Sequence, residues 1–421
     1  MKLELDENRK ALAKLKVVGV GGAGGNAVSR MVQSGMKGVE FIVVNTDLLA
    51  LQNNPAEVKI QIGSTLTRGL GAGANPQMGM LSIQEDRDRV REQLEGAEMV
   101  FIAAGMGGGT GTGAAPIVAE LARELDILTV AVVTKPFAWE GPVRERNAQG
   151  GLEALRRHVD TVIVIPNQKL LSVVEKSTTM RAAFAMADEV LISAVRGISE
   201  IILKHGEIQV DFADVRTIMS QGGDALMGLG RASGENKAAV AADRAIHSQL
   251  LDNVNIAGAT GVLINITGGE DLSLTDVNDA MNAIYEAIGT GVQANIIFGT
   301  VINPDLHDEI AITVIATGFA PPAGSKQSSV PARESLRRPG TPILTPRLSP
   351  EAGAADPSGS AMDDSTGKVP FGAPVRVTAR AEETGRVRQG AFAGAFGSRS
   401  YSESEPDVDY ETPAFLRNLA D

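Results

Sequence analysis

The feature that most constrains this chain is the segment Gly-Met-Gly-Gly-Gly-Thr-Gly-Thr-Gly at residues 105–113. It follows an apolar run at residues 99–104 and precedes a stretch of helical composition at residues 114–125. Glycine lets backbone N–H groups approach a ligand closely, and a helix N-terminus attracts anions through its free N–H groups and its dipole. A segment of this kind between a buried strand and a helix predicts a phosphate-binding loop rather than a flexible linker.

A second glycine-rich segment lies near the beginning of the chain. Residues 14–20 are typical of a strand, and Gly-Gly-Ala-Gly-Gly-Asn follows at residues 21–26 before a run of helical composition. The glycines here fit the G-x-G-x-x-G pattern of a dinucleotide site, with Asp47 at the end of the next strand, where a ribose-binding carboxylate would lie. Taken alone, this pattern favours a Rossmann-type oxidoreductase that uses NAD.

Two phosphate loops after two strands indicate a different ligand. The oxidoreductase interpretation does not explain why the later strand carries the richer loop at residues 105–113. Both loops together suit a nucleotide whose long phosphate chain is held by backbone amides, and the Gly-Lys-Ser/Thr of a P-loop is absent from the sequence. We expect a third glycine-rich segment, at residues 69–76, to line the same cleft.

The order of strand and helix patterns predicts an α/β fold. From residue 15 to about residue 174, short β-branched runs alternate with helical stretches, as in a parallel sheet with helices on both faces. Residues 180–204 form an unusually long helical pattern, whose widely distributed apolar positions suit a helix buried between two domains. A second α/β region follows at residues 211–317. Ligands of such sheets bind at the carboxyl ends of the strands, where both glycine-rich loops fall.

Composition excludes several classes of protein. With 421 residues the chain has room for two or three domains, and its net charge of −12 argues against a nucleic-acid binder. The sequence has no cysteine, which excludes disulfides and thiolate metal sites, and its four histidines show no ligand spacing. The first residues do not resemble a signal peptide and no apolar run is long enough to span a membrane, so we expect a soluble cytoplasmic protein.

The last hundred residues differ from the rest in composition. Residues 319–405 are rich in Pro, Gly, Ser, Ala and Arg, with too few large apolar residues to offset the entropy of ordering, and are predicted to be disordered. Order signals return at residues 406–421, where Thr412 and Pro413 suit an N-cap and a first helical position. The apolar side chains of this helix have nothing local to pack against, which predicts a short docking helix for a partner. They are Phe415, Leu416 and Leu419.

Two carboxylates follow the long helix. Asp211 and Asp214 would project from one face of a helix start, where they serve either as a cap and a first-turn acid or as a functional pair. A helix of about 24 residues spans about 35 Å. If that helix begins beside the nucleotide, these carboxylates lie at the opposite pole and can reach only a neighbouring subunit's nucleotide. Such a head-to-tail arrangement gives open filaments when its rotation does not close.

These segments together are similar to those of the FtsZ family of tubulin-like bacterial cell-division GTPases. The similarity covers about residues 12–318 and resumes at residues 413–417. It is carried by Gly-Gly-Gly-Thr-Gly-Thr-Gly at 107–113, Gly-Gly-Ala-Gly-Gly-Asn at 21–26, Asn-Thr-Asp at 45–47, Gly-Ala-Gly-Ala-Asn-Pro at 71–76, Thr-Lys-Pro-Phe at 134–137, Glu-Gly at 140–141 with Arg144, and Asp-Phe-Ala-Asp-Val-Arg at 211–216.

The resemblance implies a role for each matching residue. Glu140 and Arg144 would contact ribose and phosphate, Phe184 would stack on guanine, and Asp188 would hydrogen-bond the guanine edge. Asp211, Asp214 and Gln209 would act on the GTP of the neighbouring subunit, and Mg²⁺ would be held mainly by the phosphates, with no protein metal ligands. The implied GTP- or GDP-binding residues are Gly21, Gly22, Ala23, Gly24, Gly25, Asn26, Asn45, Asp47, Ala74, Asn75, Gly107, Gly108, Gly109, Thr110, Gly111, Thr112, Gly113, Glu140, Arg144, Phe184 and Asp188.

The resemblance also implies an architecture and partners. The partners would be further copies of this chain in a head-to-tail polymer and, through the tail, membrane-tethering proteins of the midcell division ring, with no nucleic acid and no direct membrane insertion. The expected fold is a Rossmann-like parallel-sheet GTPase domain, a long central helix, a smaller α/β domain and a disordered tail. The predicted divisions are an N-terminal extension (1–14), the GTP-binding domain (15–179), the central helix (180–206), the C-terminal α/β domain (207–318), the linker (319–405) and the docking peptide (406–421).

Three positions depart from the family pattern. Gln209 replaces a usual Asn in the catalytic loop, which keeps the amide but adds a methylene and is expected to slow hydrolysis. Trp139 replaces another aromatic residue, with little expected effect. Glu411 and Thr412 replace Asp-Ile before the tail proline, which affects the affinity for tethers. Two alternatives stay open from the sequence: the NAD-dependent oxidoreductase, and a filament protein whose nucleotide pocket is only structural.

Overall fold

A computed structural model of the chain describes residues 13–171, 177–204, 206–248, 256–289 and 294–319. The predicted docking peptide at 406–421 and nearly all of the predicted linker lie outside these residues. Across the described residues, no helix combines the length and the apolarity that crossing a membrane requires.

The described strands match the β-branched runs of the sequence. Ten of them form one sheet, in the spatial order β3-β2-β1-β4-β5-β6-β7-β10-β8-β9. The strands are β1 (Leu15–Val20), β2 (Val39–Asn45), β3 (Val58–Gln61), β4 (Met99–Gly105), β5 (Leu128–Lys135), β6 (Thr161–Pro166), β7 (Asp224–Ser233), β8 (Gly261–Gly268), β9 (Asn295–Ile302) and β10 (Glu309–Thr317).

Helices connect these strands, and two 3₁₀ turns lie at Ala138–Glu140 and Ile256–Gly258. The helices are α1 (Gly21–Gln33), α2 (Leu48–Gln52), α3 (Ser64–Thr67), α4 (Pro76–Glu85), α5 (Arg87–Leu94), α6 (Thr110–Glu124), α7 (Pro142–Leu155), α8 (Asn167–Leu170), α9 (Met180–Leu203), α10 (Phe212–Met219), α11 (Lys237–Ile246) and α12 (Leu274–Ile288).

The sheet changes character along its width. Strands β1 to β6 pair only in parallel, as the alternation of strands and helices predicts. Strand β7 then pairs in parallel with β6 over two residues and antiparallel with β10 over eight. At this junction the Arg156 guanidinium makes two hydrogen bonds to the Asp224 carboxylate, at 2.7 and 2.9 Å. One sheet therefore runs through both predicted α/β regions.

Helix α9 has the buried environment that its sequence pattern predicts. Its apolar side chains, including Leu191, Val195 and Ile198, join a core with residues of β1, β5 and β8. Burial of this apolar surface stabilises the helix by roughly 25 cal/mol for each Å² removed from water. The packing fixes α9 against both parts of the sheet and so determines where residues at its two ends lie.

Candidate nucleotide site

The two glycine-rich loops meet because their strands are neighbours in register. Val20 of β1 pairs with Ala104 of β4, so both strands end at the same level of the sheet. Helix α1 begins at Gly21 and α6 at Thr110. A Cβ atom at position 21 would lie only 2.7 Å from the backbone N of Gly111, which is too close for any side chain, so the two loops can approach this closely only with glycine at position 21. Two helix N-termini with free N–H groups therefore converge on one place.

Open space lies in front of these loops. Gly22 and Gly108 line the cavity, and a Cβ atom on either would meet no atom within 4 Å. A Cβ on Gly109 would instead lie 2.7 Å from the Cβ of Ala72, in the third glycine-rich segment. The Asn147 amide ties these two loops together by donating to the carbonyls of Ala74, at 3.1 Å, and Gly107, at 3.4 Å. The third segment thus supports the phosphate loop from behind.

The two threonine hydroxyls of the loop have structural partners. The Thr112 hydroxyl accepts a hydrogen bond from the N–H of Gly107 at 2.9 Å. The Thr110 hydroxyl lies 2.7 Å from that of Thr46, and both side chains are buried. Because the side-chain oxygens are engaged with the protein, they fix the shape of the loop around the backbone amides.

The cavity encloses about 270 Å³ and brings together ten of the predicted nucleotide-binding residues. They are Gly22, Ala23, Gly108, Gly109, Thr110, Gly111, Glu140, Arg144, Phe184 and Asp188. The other predicted residues do not line the cavity, namely Gly21, Gly24, Gly25, Asn26, Asn45, Asp47, Ala74, Asn75, Gly107, Thr112 and Gly113. Among these, the carboxylate of Asp47 and the side-chain oxygen of Asn75 cap helices α2 and α4.

The end of the cavity formed by α9 is made of side chains. The Phe184 ring meets the rings of Phe137 and Trp139 edge-on, with centroids 5.5 and 6.1 Å away. Asp188, one turn further along α9, is only 8% exposed and pairs with the Nε of Arg30 on α1 at 3.1 Å. Burial raises the pKa of the Asp188 carboxyl to about 6, and the Arg30 charge opposes that rise.

Glu140 and Arg144 form one side wall. The Arg144 guanidinium donates to Glu140 at 2.9 Å, and the other oxygen of Glu140 accepts from the N–H of Phe137 at 2.9 Å. Both bonds hold the turn after β5 against the beginning of α7. Among the described residues no cluster of three His, Cys, Asp or Glu side chains could hold a metal ion.

The carboxylates after the long helix lie outside this cavity. Phe184 and Asp188 belong to the first turns of α9, whereas Asp211 and Asp214 follow its last residue, Leu203. The Asp211 side chain caps α10 by accepting from the N–H of Asp214 at 2.8 Å, as the capping interpretation expects. Both carboxylates are exposed, as is Gln209. Helix α9 alone places about 35 Å between its two ends.

Comparison with known proteins agrees with this geometry. Residues 14–175 match the model of the GTPase domain of the tubulin/FtsZ family, and residues 223–320 match that of the C-terminal domain of the FtsZ family. An empty FtsZ dimer from M. jannaschii is 44% identical, covering 74% of this chain and 90% of that chain with a TM-score of 0.71. A GTPγS-bound CetZ2 protofilament from Haloferax volcanii is 25% identical, covering 73% and 93%, with a TM-score of 0.62.

The chain belongs to the tubulin/FtsZ family of GTPases. This membership favours the FtsZ interpretation over the NAD-dependent oxidoreductase that the G-x-G-x-x-G pattern alone suggested. It also confirms the predicted fold class, with its mostly parallel sheet.

Six further residues line this FtsZ-type cavity, namely Gly105, Met106, Thr134, Pro136, Asn167 and Ala187. The first four lie in segments that the sequence analysis singled out, at 105–113 and 134–137, whereas Asn167 and Ala187 were missed. Asn167 is the most informative of them, because its side-chain oxygen is buried without a hydrogen-bond partner in the described structure. Buried polar atoms are nearly always bonded, so an orphan that lines a cavity points to a ligand. The signal was available: Asn167 directly follows β6, at the edge of the sheet where ligands bind.

Proposed function

We propose that this chain is a GTP-dependent, self-assembling filament protein of the bacterial division ring, which hydrolyses GTP between head-to-tail subunits. One observation carries the proposal: the cavity holds the first turns of α9, while the exposed carboxylates Asp211 and Asp214 follow its far end. Within one subunit these carboxylates are too distant from the cavity. Stacking of subunits along the direction of α9 would bring them to the next subunit's nucleotide.

The two ends of the cavity would divide the recognition of GTP. The backbone amides around Gly22 and Gly108 would bind the phosphates, helped by the dipoles of α1 and α6. Phe184 would stack on the base. The ionised Asp188 would accept from guanine N1–H and the exocyclic amine, two donors that adenine does not present.

Hydrolysis would proceed by attack of a water oxygen on the γ-phosphorus, with breakage of the bond to the bridging oxygen and departure of GDP. The neighbour's Asp214 would orient and polarise this water, since the Asp211 carboxylate is held as a cap. Gln209 would supply an amide beside them. Mg²⁺ bound to the phosphates would offset their negative charge.

The relatives and the tail support the wider role. The M. jannaschii FtsZ structure is a dimer and the Haloferax CetZ2 structure is a protofilament, so self-association occurs in proteins with this fold. Phe415, Leu416 and Leu419 would dock on membrane-tethering proteins and so bring filaments to the midcell ring. Deletion of residues 406–421 is accordingly expected to leave GTPase activity intact and to abolish binding to tethers.

A mixing experiment tests the shared active site. Asp214→Ala should bind GDP normally, because its own cavity is intact. It should hydrolyse GTP poorly, because no subunit supplies the carboxylate to its neighbour. Mixed in equal amounts with Gly108→Val, whose cavity is filled but whose Asp214 is intact, this variant should regain GTPase activity, because in a head-to-tail polymer the Asp214 of one chain acts on the GTP bound by the other. Asp243→Ala, which removes an exposed carboxylate from α11, is the matched control and should leave turnover unchanged.

Two other outcomes would reject the proposal in different ways. No recovery of activity in the mixture, together with a wild-type specific activity that does not depend on protein concentration, would mean that each chain holds a complete site. Absence of any GTPase activity from the wild type would favour a filament protein with a purely structural pocket.

A further inference from the structure

Arg30 connects the two ends of the cavity. They are the phosphate end, around Gly22 and Gly108, and the base end, at Phe184 and Asp188. Arg30 lies in the last turn of α1, the helix whose first turn carries Gly22 and Ala23 in the cavity wall. About two helical turns, or roughly 12 Å, separate Gly22 from Arg30 along the axis. At that distance the Nε of Arg30 reaches the Oδ2 of Asp188 on α9, at 3.1 Å.

Near neutral pH, such a partner favours the charged form of Asp188. Its side chain is buried, and burial raises its pKa to about 6, close enough to neutral pH for the protonated form to compete. A protonated carboxyl presents a donor where guanine also presents donors, so only the ionised form can accept both guanine hydrogen bonds. The ion pair with Arg30 occupies one oxygen and leaves acceptor capacity on the carboxylate.

The other charged groups near Asp188 are engaged elsewhere. Within the cavity, Glu140 and Arg144 pair with each other at 2.9 Å. At the end of β5, Lys135 pairs with Glu145 at 2.9 Å, and Lys169 of α8 has a partner of its own. Strands β6, β8 and β9, which also pack on α9, carry no charged residue within their bounds. Arg30 is therefore the charge that governs Asp188 among the described neighbours.

We propose that Arg30 is a positioning residue for guanine recognition: its guanidinium keeps the Asp188 carboxylate ionised at the base end of the cavity. The inference rests on the proposed role of Asp188 in binding guanine. It adds that α1 serves both ends of the nucleotide, through its N-terminal amides and through the side chain of its last turn. Base recognition is thereby coupled to the helix that binds phosphate.

The test is the pH dependence of GDP affinity, measured by titration calorimetry with the full chain. An opposite charge at this distance typically lowers a carboxyl pKa by a unit or more, so Arg30→Ala should bind GDP several-fold more weakly than wild type at pH 6.5 and nearly normally at pH 8.5. Dividing the two affinities at each pH removes the titration of the phosphates. Arg30→Lys, which keeps the charge, should restore most of the affinity at pH 6.5.

Arg196→Ala is the matched control, because Arg196 also crosses from α9 towards α1, where it donates to the hydroxyl of the C-cap Ser34 at 3.1 Å and forms no ion pair with a carboxylate of the described residues. It should match wild type at both pH values. A loss in Arg30→Ala that does not vary with pH, or no loss, would overturn the inference. Asp188→Ala separates the two proposals: if it binds GDP normally, the proposed role of Asp188 fails, whereas if it binds weakly while Arg30→Ala keeps the wild-type profile, only the role of Arg30 fails.

Discussion

The phosphate end and the base end of the cavity are formed by different chemical groups, backbone at the first and side chains at the second. At the phosphate end, glycine backbone on two neighbouring strands leaves open space before two helix N-termini. At the base end, side chains of α9 and of the turn after β5 supply an aromatic surface and a buried carboxylate. As proposed, the first end would bind through groups that every residue possesses and that do not titrate. The second would depend on side-chain identity and, through Asp188, on pH.

The largest effect is expected from filling the phosphate end. Gly108→Val would place its side chain in open cavity space and should weaken GDP binding on the order of 100-fold, since backbone amides lose access to the phosphates. Its melting temperature without nucleotide should stay near that of wild type. Gly150→Val is the control, because a Cβ there also meets nothing within 4 Å but lies on α7 away from the cavity. Normal GDP affinity in Gly108→Val would place the phosphates elsewhere.

Changing the base end should alter which base binds. Asp188→Asn replaces one acceptor by a donor, so GTP affinity should fall about 10- to 100-fold, the usual cost of losing hydrogen bonds to a charged group. Xanthosine triphosphate, which carries an oxygen where guanine has its exocyclic amine, should gain affinity relative to GTP. Competition binding with both nucleotides measures the ratio. An unchanged ratio would remove Asp188 from base recognition and leave the contrast between the two ends without its main support.

A smaller effect is expected from pH in the unmodified protein. The proposed guanine contact requires ionised Asp188, whose pKa burial raises to about 6. Affinity should therefore be fully present above that pKa and be lost as the pH falls through it, by about tenfold between pH 7 and pH 5. The measurement is GDP affinity in wild type divided by that in Asp188→Asn at each pH. A flat ratio would show that the base end is as insensitive to pH as the phosphate end.

The smallest effect is expected at Trp139, which packs beside Phe184 without lining the cavity. Trp139→Phe keeps an aromatic ring against Phe137 and should change GDP affinity less than twofold, whereas Trp139→Ala should weaken it about threefold, the value of one aromatic contact. Equilibrium binding distinguishes the two variants. A larger loss in Trp139→Phe would mean that the indole itself meets the nucleotide.

The phosphate end was accessible from the sequence alone because its information is local. A glycine-rich run between a strand and a helix is typical of backbone that approaches an anion, and the register of β1 and β4 then brings the two loops together. The hydrogen bonds of Thr110 and Thr112 could not be predicted from this pattern, because the pattern does not specify which groups of the protein their hydroxyls contact. The partner of Thr110 lies 64 positions away in the sequence, and no local pattern specifies such a contact.

The base end was accessible mainly through family resemblance. Nothing in the pattern around Asp188 distinguishes it from other acids on an amphipathic helix, and its pairing with Arg30 joins residues 158 positions apart. Asn167 was missed for a similar reason, since a lone Asn after a strand usually indicates a turn. The positions of Asp211 and Asp214 were partly predictable from the sequence. Their separation from the cavity followed from the length of α9, whereas the hydrogen bond by which Asp211 caps α10 was seen only in the structure.

The junction at β7 has a mechanical consequence. Only two residues of β7 hydrogen-bond with β6 across the parallel side of the sheet, whereas eight pair with β10, and the Arg156–Asp224 contact reinforces the narrow side. This two-residue contact is the shortest strand pairing in the sheet, so hydrogen bonds across β7 contribute least to holding its parallel and antiparallel parts together. The link between the two parts therefore relies on α9, whose side chains pack against strands of both.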